Sequence, residues 1–243
     1  MKKLILLLSV LLFSLEFVAA QDEYERSVFV SSSGDSLNYR LLEPEVMQAG
    51  EKYPLVLFLH GAGERGNDNE KPLQMFLNPV NREKYPAFVL FPQCPESGYW
   101  AYENRPQSFI PTQMPVGKEM PSVFQAVKEL LDMYLANPQV DKSRVYIMGL
   151  SMGAMGTYDM VSRFPDIFAA AVPICGTVNP TRLSAARNVA FRIFHGDADD
   201  VVPVAGSRQA YKALKAAGAS VEYIEFSGCN HGSWNPAFNY PDF

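Results

Sequence analysis

Ser151 lies at the centre of a Gly-Leu-Ser-Met-Gly motif at residues 149–153, with a glycine two positions away on each side. The motif directly follows the apolar run 145–148 and directly precedes a stretch with helical periodicity. A strand, a tight turn and a helix form the context in which a nucleophilic serine is exposed at the edge of a sheet. The start of the helix favours the negative charge that develops during attack on a carbonyl group. The motif therefore predicts Ser151 as a nucleophile.

A serine hydroxyl is a weak nucleophile at neutral pH and needs a base. The chain has three histidines, and two of them, His60 and His195, end apolar runs and precede a glycine. That position is typical of a structural histidine at the end of a strand. His231 lies in a loop after the last apolar run, which suits a base in the chain order serine, acid, histidine. We predict His231 as the general base.

The acid that orients the base is expected between the serine and His231. Asp197, Asp199 and Asp200 follow the apolar run 189–194 and are the candidates. The acid must hold the imidazole tautomer and stabilise the imidazolium ion, and the other two carboxylates belong to a solvated turn. We predict Asp199 as the acid, with Asp200 as the alternative.

An oxyanion hole requires two backbone N–H groups near the nucleophile. The loop that begins at residue 60 follows the apolar run 55–59 and can aim one N–H group at the serine. We assign the N–H groups of Ala62 and Met152 to the oxyanion hole, with Gly63 as the alternative to Ala62.

Strand-like segments recur along the chain and would position these residues. Segments 24–31 and 36–42 predict a hairpin across Ser33-Gly34-Asp35. Later runs are almost continuously apolar, which is typical of strands buried on both faces of a parallel sheet. These runs are residues 55–59, 88–91, 145–148, 169–175, 189–194 and 221–226.

Helical periodicity alternates with the strands. It predicts helices over 121–135, 152–164 and 204–217, with Gly218 as a C-terminal cap. The alternation favours a mostly parallel central sheet with an antiparallel N-terminal hairpin and helices on both faces. Only about a dozen residues separate the runs ending at Cys175 and starting at Val189, so we expect no cap domain.

Composition limits the function classes. The chain has 243 residues, of which 48% are hydrophobic and 19% charged, and its formal net charge is -5. These values indicate one folded domain and exclude the basic footprint of a nucleic-acid-binding protein. Three cysteines without a C-x-x-C spacing make a poor metal site, and we predict neither a metal nor a cofactor.

Residues 1–20 have the pattern of a secretory signal peptide. Lys2 and Lys3 precede the apolar run 4–15, and small residues end at Ala20. Glu16 interrupts the run, which is short for a membrane anchor. We predict cleavage after Ala20, a secreted or periplasmic protein, and no stable membrane anchor.

An oxidising destination permits a disulfide bond. Cys94 could pair with Cys229, but the sequence does not set the distance between them. Cys175 ends an apolar run and is predicted to be a buried free thiol.

Several stretches together resemble secreted α/β-hydrolases of the esterase type, the group of feruloyl and acetylxylan esterases, phospholipase/carboxylesterase proteins and "predicted peptidases". The stretches are PLVLFLHGAGERGND from Pro54, FPQCP from Phe91, VYIMGLSMGAMGTY from Val145, FHGDADDVVP from Phe194 and GCNHGSW from Gly228. The resemblance implies the α/β-hydrolase fold and the triad Ser151, Asp199 and His231. It favours Asp199 because the family's acid lies four residues after the histidine of the His-Gly pair.

Family members usually continue beyond the histidine loop into a final helix, whereas this chain ends twelve residues after His231. We therefore expect one catalytic domain over 21–243 with its C-terminal helix missing or truncated, and a thinly covered sheet face. Trp100 lies in the proline-rich segment 92–117, and Trp234 follows His231 closely. Each is a candidate for lining an acyl pocket and equally a candidate for core packing.

Three functions fit these features. The first is a secreted ester hydrolase with an open site for small esters, or for feruloyl or acetyl esters on plant polysaccharide. The second is a serine peptidase of the prolyl-oligopeptidase type, which usually carries an additional domain. The third is a non-catalytic carbohydrate-binding relative, against which the complete serine, acid and histidine set argues.

Overall fold

A computed structural model describes residues 24–70, 73–116, 119–241 and 243. The predicted signal peptide, residues 1–20, lies outside the described residues. None of the helices formed by the described residues is long and apolar enough to cross a bilayer.

Eight strands form one sheet in the order β1-β2-β4-β3-β5-β6-β7-β8. β1 pairs with β2, and β2 with β4, in antiparallel fashion, and every other pair is parallel. The predicted N-terminal hairpin and the mostly parallel sheet are both confirmed. The strands are β1 (Glu25–Val30), β2 (Ser36–Leu42), β3 (Tyr53–Leu59), β4 (Phe88–Pro92), β5 (Val140–Leu150), β6 (Ala170–Ile174), β7 (Ala190–Gly196) and β8 (Val221–Phe226).

The one large boundary difference is at β5, which begins at Val140 rather than at the predicted residue 145. Val140 is paired with Tyr53 of β3, but the next pair is Leu55 with Val145, so residues 141–144 form an exposed irregularity. Its charged side chains interact locally, since Arg144 Nε donates to Asp141 Oδ2 over 2.7 Å. Apolar periodicity therefore detects only the regular, buried half of this strand.

The three predicted helices are present with small shifts at their ends. Gly218 has φ of +84° and follows the third of them, where its left-handed backbone ends the helix as predicted. Two short helices were not predicted because five or six residues with an internal proline or mixed polarity show no periodicity. The helices are α1 (Pro79–Lys84), α2 (Ser122–Leu135), α3 (Met152–Arg163), α4 (Ala205–Ala216) and α5 (Trp234–Phe238).

Both faces of the central strands of the sheet are buried. On one face α2, α3 and α4 pack against the leucines of β3 and neighbouring strands. On the other face Phe58, Phe91 and Phe194 are buried beneath α5 and the chain that follows it. Tyr240 and Phe243 lie with their ring centroids 5.4 and 5.7 Å from that of Phe194.

The predicted thin cover over this face is therefore corrected. α5 and the aromatic residues after it cover the face directly behind the His231 loop. Between β6 and β7 the described chain contains one 3-10 helix, Pro180–Ala186, and this agrees with the prediction that no cap domain is inserted there.

Candidate active site

Ser151 forms the turn between β5 and α3 with φ of 53° and ψ of -114°. This left-handed backbone is strained for a non-glycine residue and persists only where the surroundings impose it. The strand leads directly into the turn and the helix leads directly away from it. The predicted elbow is therefore present, with the serine at the carboxyl end of a central strand.

The two glycines of the motif lie where a side chain would collide with neighbouring backbone atoms. A Cβ atom on Gly149 would lie 2.5 Å from the carbonyl carbon of Gly153. A Cβ atom on Gly153 would lie 1.8 Å from the carbonyl oxygen of Leu59 on β3. Both obstacles are backbone atoms, so rotation of a side chain cannot relieve them. The turn thus packs against the end of β3, next to the loop proposed for the oxyanion hole.

Gly153→Ala is expected to destabilise the protein by more than about 3 kcal/mol, because the added methyl group forces strand β3 away from the turn. Thermal unfolding of the purified variant measures the loss. Gly63→Ala is the matched control, since a Cβ atom there has nothing within 4 Å. Equal melting temperatures for the two variants would contradict the packing explanation of the motif.

His231 joins the nucleophile to the acid. Its Nε2 atom lies 2.9 Å from Ser151 Oγ, and its Nδ1 atom lies 2.7 Å from Asp199 Oδ2. The histidine is 19% exposed, whereas the Asp199 side chain is fully buried. The structure thus brings together the three residues predicted from the sequence.

The Asp199 carboxylate is held at both oxygens. Oδ1 accepts hydrogen bonds of 2.9 Å from the N–H groups of Val201 and Val202, and Oδ2 faces His231 and His195. Burial alone would raise the pKa of this carboxyl group, but these hydrogen bonds outweigh it and hold the pKa well below its usual range. Asp199 is therefore ionised at neutral pH.

The other two carboxylates of this turn point elsewhere. Asp200 is exposed, and Asp197 Oδ1 accepts a 2.6 Å hydrogen bond from the N–H group of Gly228. A further bond runs from Ala198 N–H to the carbonyl oxygen of Cys229 over 3.0 Å. These contacts join the acid turn to the His231 loop. Of the three carboxylates, the one in contact with His231 is that of Asp199 and not that of the alternative Asp200.

His195 has a contact that sequence reasoning missed. It was interpreted as a structural histidine, and it is fully buried at the end of β7. Its Nε2 atom nevertheless lies 3.2 Å from Asp199 Oδ2. The spacing of four residues between His195 and Asp199 in a tight turn is the signal that could have revealed this contact.

The residues assigned to the oxyanion hole begin two helical segments. Met152 is the first residue of α3, where an N–H group has no intrahelical acceptor. Ala62 begins the 3-10 helix Ala62–Glu64. A Cβ atom on Gly61, which directly precedes Ala62, would lie 2.6 Å from Leu150 Cδ1. The loop after β3 is therefore packed against the residue that precedes the nucleophile.

His60 stabilises the loop after β3 through hydrogen bonds of both ring nitrogens. Its Nε2 atom accepts a 2.9 Å hydrogen bond from Cys94 N–H, which leaves Nδ1 to donate to the carbonyl oxygen of Gly61 over 2.6 Å. The structural interpretation of His60 is consistent with these contacts.

The two tryptophans differ. Trp100 is completely buried, its indole N–H donates to the carbonyl oxygen of His60 over 2.9 Å, and its ring packs against Phe124. The prediction that Trp100 lines an acyl pocket is wrong, because no part of its surface is available to a substrate. Trp234 is half-buried and meets His231 edge to face, with ring centroids 5.6 Å apart.

All three cysteines are free thiols. The pairing of Cys94 with Cys229 is not formed, and Cys94 is buried near His60. Burial raises the pKa of Cys175 to about 12, so its thiol stays protonated. The Cys175 thiol, Asp199 and His231 have atoms within 4.8 Å of one another, but the last two already form a hydrogen bond, and the set fits a catalytic hydrogen-bond network better than a metal site.

Comparison with known proteins agrees with this geometry. The phospholipase/carboxylesterase family matches residues 43–240. The crystal structure of a thermostable esterase superposes with a TM-score of 0.81 at 34% identity, covering 91% of this chain and 61% of that one.

Two curated relatives are also similar. "Probable carboxylesterase SOBER1-like" of Arabidopsis thaliana is 26% identical over 199 residues, covering 76% of this chain and 75% of its own length. Acetylxylan esterase A of Emericella nidulans is 31% identical over 94 residues, covering 39% of this chain and 29% of its own. This chain thus spans less than two thirds of the thermostable esterase and of the acetylxylan esterase.

Proposed function

Because this chain belongs to the phospholipase/carboxylesterase family of esterase-type α/β-hydrolases, we propose that it hydrolyses carboxylic esters through an acyl-enzyme on Ser151. The observation that carries the proposal is the position of His231, with one ring nitrogen 2.9 Å from Ser151 Oγ and the other 2.7 Å from Asp199 Oδ2.

In the first half of the reaction, His231 Nε2 takes the proton of Ser151 Oγ as that oxygen attacks the ester carbonyl carbon. The carbonyl oxygen becomes an oxyanion, which the N–H groups of Met152 and Ala62 stabilise. The tetrahedral intermediate collapses, the carbon–oxygen bond to the alcohol breaks, and the alcohol takes the proton from His231. The acyl group remains on Ser151.

In the second half, His231 takes a proton from a water molecule whose oxygen attacks the acyl carbon. Collapse of the second intermediate returns the proton to Ser151 Oγ and releases the carboxylic acid. Throughout both halves the ionised Asp199 keeps the proton on Nδ1 of His231 and balances the charge of the imidazolium ion.

The proposed substrates are small esters, or acetyl and feruloyl esters that project from a polysaccharide. The short connection between β6 and β7 supports an open site, since only the 3-10 helix Pro180–Ala186 lies there. The similarity to an acetylxylan esterase also supports an acyl group carried on a polymer. The half-buried ring of Trp234 beside His231 offers an apolar contact for an acyl or aryl group. We further propose export directed by residues 1–20, in keeping with a polymeric substrate outside the cell.

Purified protein is expected to hydrolyse p-nitrophenyl acetate, methyl ferulate and acetylated xylan faster than a p-nitroanilide with the same acyl group, because an alcohol or a phenol leaves the tetrahedral intermediate more readily than an amine does. Initial rates across acetyl, butyryl, feruloyl and long-chain esters measure the preference. Amide cleavage as fast as ester cleavage would favour the peptidase instead, and turnover of no ester would refute the proposed function.

A further inference from the structure

Asp199, the acid of the triad, contacts a second histidine, His195, in addition to His231. We propose that His195 is a positioning residue that fixes Asp199 and shares its Oδ2 atom with His231, and that it thereby sets the pH at which His231 acts as a base. The inference rests on the proposed function, since it assigns a role around the same triad.

The contacts form a continuous chain from helix α4 to the nucleophile. Ser207 Oγ on α4 lies 2.7 Å from His195 Nδ1, and His195 Nε2 lies 3.2 Å from Asp199 Oδ2. Asp199 Oδ2 lies 2.7 Å from His231 Nδ1, which is followed by the contact with Ser151. Both Ser207 and His195 are almost completely buried.

The partners of His195 determine where its proton lies. Nε2 faces two acceptors, Asp199 Oδ2 and the carbonyl oxygen of Val202 at 3.0 Å. Nε2 therefore carries a proton and donates it. Nδ1 faces the Ser207 hydroxyl group, which can donate to it. A ring with a single proton on Nε2 satisfies every one of these contacts.

His195 also fixes the shape of the turn that carries the acid. The N–H groups of Val201 and Val202 hold Asp199 Oδ1, and His195 holds the carbonyl oxygen of Val202 together with Asp199 Oδ2. The carboxylate is therefore fixed at two oxygens and the turn at both sides of residue 202. Movement of this carboxylate would displace the His231 ring from Ser151.

Sharing one oxygen between two donors has an electrostatic consequence. The hydrogen bond from His195 draws charge away from Asp199 Oδ2, so less of it is available to stabilise the imidazolium form of His231. Without that bond the imidazolium form is stabilised more strongly, and His231 loses its proton at a higher pH. The rise of activity with pH should move in the same direction.

The other titratable groups around this chain belong to several elements. Cys175 at the end of β6 stays a neutral thiol because burial raises its pKa to about 12. Glu225 on β8 faces His195 and stays ionised, since its hydrogen bond with Arg208 lowers its pKa to about 2. Tyr158 on α3 lies near Ser207, and burial raises the pKa of Tyr158 well above its usual range. Cys229 lies on the His231 loop and Asp197 on the acid turn.

Two variants of His195 separate hydrogen bonding from packing. In His195→Leu the volume is similar and the donor is lost, whereas in His195→Gln an amide N–H group can still donate to Asp199. His60→Leu is the matched control, because His60 is another buried histidine at the end of a strand but contacts Cys94 and Gly61 instead of Asp199. The measurements are kcat, the pH profile of kcat/KM with p-nitrophenyl acetate, and the melting temperature.

For His195→Leu we expect kcat to fall about tenfold, since small displacements of a catalytic group are costly. The midpoint of the rise in kcat/KM should move up by about 0.5 pH unit, the share expected from a long hydrogen bond to a charged group. His195→Gln should restore the wild-type midpoint and most of kcat. His60→Leu should keep the wild-type midpoint whatever its kcat.

A wild-type midpoint in a folded His195→Leu variant would overturn the inference and leave His195 as a packing residue. The same result follows if the Gln and Leu variants share one shifted midpoint. If His195→Leu does not fold, Ser207→Ala replaces it and is expected to move the midpoint in the same direction by a smaller amount; an unmoved midpoint there refutes the inference. Asp199→Asn distinguishes failure of this inference from failure of the proposed function, because full activity in that variant would refute the triad itself.

Discussion

Ser151→Ala is expected to lower kcat for ester hydrolysis by about five to six powers of ten. The hydroxyl group supplies the atom that attacks the substrate, and the structure offers no other hydroxyl group in contact with His231 among the described residues. The strained turn should remain, since the glycines at 149 and 153, rather than the serine side chain, permit the close packing. Rates with p-nitrophenyl acetate and melting curves measure activity and folding separately.

Ser162→Ala is the matched control. Ser162 lies on α3, the helix that follows Ser151, and its hydroxyl group donates to the carbonyl oxygen of Tyr158 over 2.7 Å, away from the triad. This variant should keep wild-type activity. A fluorophosphonate that acylates active serines should label the wild type and Ser162→Ala but not Ser151→Ala. Retention of more than about a tenth of wild-type activity by Ser151→Ala would remove the nucleophile from the proposal.

Asp199→Asn is expected to lower kcat by about 10⁴-fold, the cost of the same change in the serine-protease template. An asparagine can still accept the hydrogen bonds from Val201 and Val202. Its amide group, however, can donate to His231 Nδ1, which leaves the proton on Nε2 and prevents that atom from accepting the proton of Ser151. The amide also cannot balance the charge of the imidazolium ion.

Asp197→Asn and Asp200→Asn are the controls for this prediction. Asp200 is exposed and Asp197 binds the backbone of the His231 loop, so each variant should change stability by no more than about 1 kcal/mol and keep most of its activity. Kinetics and melting curves for the three single variants test the assignment. Equal losses in all three would mean that the turn is disturbed as a whole and that no single carboxylate is the acid.

Local patterns in the sequence were sufficient to predict the strands, the main helices and the turn that carries Ser151. The apolar runs predicted the strands because parallel strands are buried on both faces, and their continuous hydrophobicity is visible without any partner. The turn that carries Ser151 could also be predicted, since its strand, turn and helix are neighbours in sequence. The prediction of Ser151 and His231 followed from the order of motifs along the chain.

Contacts between distant segments needed the tertiary structure. From the residues alone Asp199 and Asp200 were both open, and the resemblance favoured Asp199. The structure shows why: the turn after β7 folds back on its own N–H groups and buries only Asp199. For Trp100 the sequence left pocket lining and core packing equally open, because a long proline-rich segment has no periodicity from which burial can be inferred. The segment folds inward, and its indole group satisfies the carbonyl oxygen of His60.

The amino-acid sequence by itself determined the class of fold and predicted the nucleophile and the base, because each depends on residues close together in the chain. The tertiary structure decided which carboxylate faces His231, that the three cysteines stay unpaired, that α5 covers the sheet, and that His195 lies behind the acid. These are properties of side chains from separate strands and loops. Their distances are set by how the elements pack, and no local pattern of hydrophobicity or turn residues encodes such a distance.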